Sequence, residues 1–138
     1  MAELSWQTIK EMVRDRAENR CEYCGTAEIN MGQALHIEHI FPDGGETLDN
    51  LCLACPNCNL SKAAAVTAVD PHTNTEVPLF NPREQRWPEH FSWTENFSHI
   101  FGATAIGRAS VLRLKMNRPR IVLARQRWVQ AGLHPVGK

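Results

Sequence analysis

Residues 21–62 read CEYCGTAEINMGQALHIEHIFPDGGETLDNLCLACPNCNLSK. Two Cys-x2-Cys pairs frame this stretch, Cys21 with Cys24 and Cys55 with Cys58. Each pair can place two sulfurs on one side of a tight turn, and four thiolates fill the tetrahedral shell of zinc. Because a filled shell leaves no position for water, we predict a structural Zn²⁺ site that contributes folding energy. A redox-active pair and an iron–sulfur site are the alternatives.

The segment between the two pairs is predicted to form a hairpin. A strand through residues 34–40 is followed by a loop, which Pro42 and a pair of glycines impose, and then by a second strand at 51–54. An alanine-rich helix is predicted from about 59 to 69, since the residue before Pro71 disfavours helical backbone.

Helices are predicted on both sides of this segment. Ser5 can cap a helix that ends near Asn19, because apolar residues recur there every three or four positions. Two further helices are predicted at 105–116 and at 119–132. Short strands are expected around 91–93 and 97–101.

Length and composition bound the architecture. With 138 residues and 43% hydrophobic content, the chain can bury one core, so we predict a single domain over 1–138. The core motif would span about 20–66, with a C-terminal extension over about 70–138. No apolar run is long enough for a membrane span, and the N-terminal residues carry mixed charges. We therefore expect a cytoplasmic protein without a membrane partner, in which cysteines stay reduced.

The net charge of zero conceals an uneven distribution. Residues 1–60 hold four Lys/Arg and ten Asp/Glu, whereas residues 61–138 hold eleven and five. After Glu95 there is no acidic residue and there are eight basic ones. Such a block favours phosphate binding, and arginines 118, 120, 125 and 127 would follow the phosphates of DNA. A solvated or packing helix face explains the same pattern equally well.

The cysteine pairs, the His36-Ile-Glu-His39 strand, the glycine pair, Asn50-Leu51 and Asn59 together resemble the HNH endonuclease family. The similarity covers residues 20 to 63. It implies an α+β fold with a ββα-metal core, also called the His-Me finger, held by the four-cysteine zinc site and flanked by N-terminal and C-terminal helices. It also implies a metal-dependent endonuclease that hydrolyses phosphodiester bonds of DNA, with RNA left open.

The resemblance assigns roles residue by residue. His39 matches the general base that takes a proton from water, and Asn50 matches the residue that orients this imidazole. Glu38 and Asn59 match the ligands of the catalytic metal. Both offer oxygen, so Mg²⁺ or Mn²⁺ is expected. The sequence departs from the commonest pattern at these two ligands, where many members have Asp or His and a final His.

Each of these residues also has an ordinary structural interpretation. His39 would be a strand histidine satisfied by a hydrogen bond, Glu38 an exposed carboxylate, Asn59 a helix cap and Asn50 a turn residue. The motif as a whole favours the catalytic interpretation over a non-catalytic zinc-containing module that binds nucleic acid. Three further residues are predicted to contact nucleic acid: Lys62, His36 and Arg83. Arg83 would otherwise be a surface anchor.

Overall fold

The computed structural model describes residues 4–135. Six α-helices, one 3-10 helix at Leu48–Asn50 and six short strands lie in this part of the chain. The helices are α1 Trp6–Arg16, α2 Glu28–Met31, α3 Pro56–Lys62, α4 Trp87–His90, α5 Ala105–Arg113 and α6 Pro119–Gln130. The strands are β1 His36–His39, β2 Leu51–Ala54, β3 Thr67–Asp70, β4 Thr75–Pro78, β5 Phe91–Trp93 and β6 Ile100–Gly102.

The strands pair in sequence order as three antiparallel two-stranded sheets, β1–β2, β3–β4 and β5–β6. In the first sheet, Glu38 lies opposite Cys52 and His39 lies opposite Leu51. Helix α3 follows β2 directly and contacts both of its strands. This ββα unit confirms the predicted α+β fold class, and it places the polar residues of β1 beside a helix.

Helix α1 supports the hairpin from outside. The hydroxyl of Ser5 accepts a hydrogen bond from the backbone N–H of Thr8, which confirms the predicted cap. From the last turn of α1, Arg16 donates to the carbonyl oxygens of Leu48 and Leu51 at 2.9 and 2.6 Å. The helix therefore fixes the chain where it enters β2.

The predicted helix over 59–69 is wrong at both ends. Helix α3 begins at Pro56, a favoured residue in a first turn, and Cys55 is its N-cap. It ends at Lys62 because Ala63 takes a positive φ of 50°. Residues 67–70 instead form β3, which pairs with β4. The prediction missed this strand because the pattern of apolar residues within one segment does not show with which other segment it pairs. The predicted strand at 91–93 is confirmed, while its partner begins later, at Ile100.

The C-terminal extension packs against the cysteine turns. The indole Nε1–H of Trp87 donates to the carbonyl of Tyr23 at 2.8 Å, and Trp93 lies against Gly25. A hydrophobic cluster of buried side chains draws members from residues 13 to 116. The turns that carry the two cysteine pairs are therefore covered by side chains from distant parts of the chain.

None of the helices within residues 4–135 is long and apolar enough to cross a membrane.

Candidate metal centre and catalytic face

The four predicted zinc ligands lie together in the interior. The Sγ atoms of Cys21, Cys24, Cys55 and Cys58 all lie within 4.8 Å of one another. The Sγ atoms of Cys24 and Cys55 are 3.7 Å apart. Zinc–sulfur bonds of about 2.3 Å in a tetrahedron give sulfur–sulfur distances of about 3.8 Å, so the cluster matches a zinc site with four sulfur ligands.

The protonation of the sulfurs also fits a bound cation. Burial raises the pKa of Cys21, and contacts with the other thiols raise the pKa of Cys58. The pKa of Cys24 is lowered because neighbouring thiols donate hydrogen bonds to its sulfur. A bound divalent cation would favour the thiolate form of all four cysteines, because metal ligation requires deprotonated sulfur. The four cysteines therefore fit structural zinc.

Arg125, on α6, is buried beside this cluster with an exposed fraction of 0%. It donates to the carbonyl oxygens of Met116 and Ser98 at 2.7 and 3.0 Å, and its Cζ lies 5.1 Å from the centre of the Trp93 ring. No carboxylate within residues 4–135 pairs with it. Burial lowers the pKa of Arg125, and the nearby cysteine sulfurs oppose that lowering. The predicted phosphate contact of Arg125 is therefore wrong, because its guanidinium is inside the protein.

The candidate metal ligand Glu38 lies at the centre of the ββα unit and is 7% exposed. Its Oε1 is 3.5 Å from Nζ of Lys62, which donates at 3.1 Å to the carbonyl of His39 as well. Burial raises the pKa of Glu38, and the Lys62 ammonium partly opposes that rise. Oε2 of Glu38 makes no hydrogen bond to a residue in the described range.

Lys62 does not reach the surface that a phosphate contact requires. It is 1% exposed, and its ammonium group is turned inward between β1 and α3. Its sequence position could not reveal this, because lysine is rarely buried and the two partners lie more than twenty positions away. Lys62 therefore joins the helix to the strand that carries Glu38 and His39.

The imidazole of His39 is half-buried, and its Nε2 lies 3.1 Å from Oε1 of Glu46. An ionised carboxylate only accepts hydrogen bonds, so Nε2 is the donor in this contact, and the lone pair of a neutral ring would lie on Nδ1. Glu46 was not among the predicted site residues. Its position in a glycine-containing loop with other acidic residues offered no signal, because the loop's path decides which carboxylate meets the ring.

Asn50 is buried, but its side chain does not contact the His39 ring. Oδ1 accepts from the N–H of Phe41 at 2.9 Å, and Nδ2 donates to the carbonyls of Phe41 and Gly45, each at 2.9 Å. None of these hydrogen bonds goes to the His39 ring, so the orienting role implied by the resemblance would be indirect and stays a prediction. Asn50 instead fixes the loop from which Glu46 reaches His39.

Asn59 lies in α3, one turn before Lys62, so the two side chains share a face of the helix. The amide of Asn59 is partly exposed and makes no side-chain hydrogen bond to any residue of 4–135. Because Lys62 reaches Glu38 from this face, the structure brings the face of Asn59 toward the candidate ligand on β1. A ligand role for Asn59 stays a prediction.

The two remaining predicted contacts with nucleic acid differ in their surroundings. His36 is exposed at the start of β1 and lies on the same strand face as Glu38. Arg83 pairs with Glu22, whose other carboxylate oxygen accepts from the N–H of Leu53 at 2.8 Å. These contacts support the anchor interpretation of Arg83.

Comparison with known proteins agrees with this geometry. Residues 21–64 match the family model described as HNH endonuclease, and this range contains both cysteine pairs and the whole ββα unit. Neither the curated proteins nor the solved structures gave a significant match. The segment over residues 21–64, with its clustered cysteines and its β1–β2–α3 order, thus matches the HNH endonuclease family model.

Proposed function

We propose that this chain is a metal-dependent endonuclease that hydrolyses phosphodiester bonds of DNA. The observation that carries the proposal is the position of Lys62, whose Nζ contacts both Oε1 of Glu38 and the carbonyl of His39. These contacts turn the helix face of Asn59 toward the strand that offers a carboxylate and an imidazole. That combination would provide a metal ligand and, next to it in the strand, a proton acceptor.

His39 would act as the general base. With Nε2–H donated to Glu46, the lone pair on Nδ1 is available to take a proton from an attacking water. Imidazole exchanges protons near neutral pH, which suits this role. Asn50 would act indirectly, since its three hydrogen bonds fix the loop that leads to Glu46. The chain thus offers a base with a defined tautomer.

Glu38 and Asn59 would hold Mg²⁺ or Mn²⁺. Both supply oxygen, the donor that these hard cations prefer, and Oε2 of Glu38 has no hydrogen-bond partner within residues 4–135. When bound, the cation would stabilise negative charge on the scissile phosphate and on the departing oxygen. The Lys62 ammonium keeps the buried Glu38 carboxylate partly neutralised before a cation arrives.

The test uses supercoiled plasmid incubated with zinc-loaded protein in Mg²⁺, in Mn²⁺ or in EDTA. We expect cleavage that needs the divalent cation and leaves 5′-phosphate and 3′-hydroxyl ends. His39→Ala should lower the rate by about a hundredfold or more, the usual contribution of a general base, while plasmid binding persists. His72→Ala, which changes an exposed histidine in the β3–β4 turn, is the matched control. Equal rates for parent and His39→Ala would refute the assignment.

A non-catalytic zinc module that binds nucleic acid is the second candidate. The observation in its favour is again Lys62, because an ammonium group beside Oε1 of Glu38 supplies positive charge where a metal ligand is proposed. In that case the parent protein would bind DNA without cleaving it in either metal. Addition of Zn²⁺ and then Mg²⁺ after EDTA separates the two functions, since zinc would restore the fold in both cases and Mg²⁺ would restore cleavage only for the endonuclease.

A further inference from the structure

A surface groove of about 610 Å³ lies between β6, the end of α5 and the start of α6. Its floor is apolar, with Ile100, Val111 and Pro119 among the lining residues. Two of its side chains are unusually open to solvent for their type, Phe101 at 60% and Leu112 at 62% exposure. Phe101 points outward because its strand neighbours on both sides are buried. The groove therefore offers an exposed aromatic side chain to a ligand.

The charged residues of the groove are all basic. Arg108, Lys115 and Arg118 line it, and no carboxylate does. Arg108 is already paired with Asp70 through two contacts of 2.9 Å. Lys115 and Arg118 form no ion pair with any residue in the described part of the chain. These two cations beside the apolar floor are therefore available to bind an anionic partner.

Helix α3 contacts both the segment that leads into the groove and the strand β1 that carries Glu38 and His39. The side-chain amide of Asn57 donates to the carbonyl of Leu114 at 2.8 Å, which places the turn after α5 along this helix. Arg113 donates to the carbonyl of Lys62 at 3.4 Å. The same helix thus carries Asn59 and Lys62 toward β1 and supports the residues that lead into the groove.

We propose that this groove binds an unpaired nucleotide of the nucleic acid strand on which the HNH segment acts. The base would stack on Phe101 and pack against Leu112, while Lys115 and Arg118 contact the adjacent phosphates. A duplex buries the faces of its bases, so an unpaired nucleotide fits a groove with an apolar floor and two unpaired cations better than a base pair does. The substrate class is therefore nucleic acid with a single-stranded segment. This proposal rests on the proposed function for its link to cleavage.

The experiment measures binding of a fluorescently labelled oligothymidylate and of a duplex of equal length by anisotropy, without added Mg²⁺. The zinc-loaded parent should bind the single strand more tightly. Phe101→Ala should weaken that binding by about tenfold, as expected for loss of one stacked base. Lys115→Gln with Arg118→Gln should weaken it and flatten its dependence on salt. Leu123→Ala and Arg86→Gln change an exposed apolar and an exposed basic side chain outside the groove, so they serve as matched controls.

Equal binding of the two probes, or a Phe101→Ala variant indistinguishable from Leu123→Ala, would overturn the proposal. So would a change in self-association, measured by sedimentation, without a change in oligonucleotide binding, because that result would make the groove a contact between copies. Failure of the groove would leave metal-dependent plasmid cleavage by the parent intact. Failure of the proposed function would instead appear as no cleavage, whatever the oligonucleotide binding.

Discussion

At the scale of single residues, Asn50 and Gly44 form a close contact that fixes the loop after β1. A Cβ atom added at Gly44 would lie 2.6 Å from Cγ of Asn50, and Asn50 cannot move without losing its three hydrogen bonds to the loop. Position 44 therefore requires glycine, because the loop backbone there lies too close to the Asn50 side chain to leave room for a Cβ atom.

Gly44→Ala should lower the free energy of unfolding by about 1–3 kcal/mol, because a buried amide would lose hydrogen bonds. It should also slow cleavage, since the loop leads to Glu46 and thereby to His39. Denaturant unfolding and plasmid assays measure the two effects. Asp43→Ala, at the exposed neighbouring position, is the control. If the two variants are equally stable, the close contact has no energetic consequence.

The buried imidazole of His134 is expected to make the free energy of unfolding depend on pH. Burial lowers its pKa below the ordinary value near 6.5, and its Nε2–H donates to the carbonyl of Phe97 at 3.0 Å. The unfolded chain therefore binds this proton more readily than the folded one does. The contribution of neutral His134 to stability is present above about pH 6.5 and is lost as the pH falls below it.

Thermal unfolding at pH 7.5 and at pH 5.5 measures this dependence. The melting temperature of the parent should fall more between the two values than that of His134→Gln, which keeps a polar side chain but does not titrate. His72→Gln, at an exposed histidine, should behave like the parent. Parallel curves for the parent and His134→Gln would show that protonation of this group is not linked to unfolding.

At the scale of elements, the cysteine cluster joins the turn before β1 to the start of α3. Cys55 is both a cluster member and the N-cap of α3, where its sulfur accepts from the N–H of Cys58 at 3.4 Å. The position of α3 against β1, and therefore of Asn59 and Lys62 against Glu38, depends on this connection.

Cys55→Ser should release zinc and lower the melting temperature sharply, because a structural site contributes its binding free energy to folding. Loss of cleavage should follow from unfolding. Metal analysis of protein purified without chelator, together with calorimetry, tests this expectation. Cys52→Ser is the comparison, since Cys52 is equally buried and lies outside the cluster. Absence of zinc from the parent would contradict the prediction.

At the scale of the whole molecule, basic charge is concentrated after Glu95, and the structure divides these cations into groups. Arg125 is buried beside the cysteines, and Arg108 is paired with Asp70. Arg120 and Arg127, on α6, are exposed. Exposed cations are the ones that can reach phosphates, so Arg125 is excluded from the residues proposed to contact DNA.

Arg120→Gln with Arg127→Gln should weaken binding of duplex DNA and flatten its dependence on salt, by about 0.9 in the logarithmic slope for each lost phosphate contact. Titrations at several salt concentrations measure this slope. Arg86→Gln removes an exposed cation outside the C-terminal helices and is the control. An unchanged affinity and slope would assign the two arginines to solubility alone.

The sequence by itself determined the four cysteine ligands, the order β1–β2–α3 and the Ser5 cap of α1. These features depend on short spacings: a Cys-x2-Cys turn, alternation along a strand and a cap three residues from its donor are all local. The same locality explains why Glu38 and His39 were identified together, since they are neighbours in one strand.

Tertiary structure alone decided the surroundings of these residues. It turned Lys62 inward to Glu38, brought Glu46 to His39, directed Asn50 to loop backbone and buried Arg125 among carbonyls. It also ended α3 at Lys62. Each outcome depends on partners brought together by chain folding, and a buried charge is stable only where such partners surround it. Sequence spacing does not specify those partners, because they come from separate elements whose packing sets their distance.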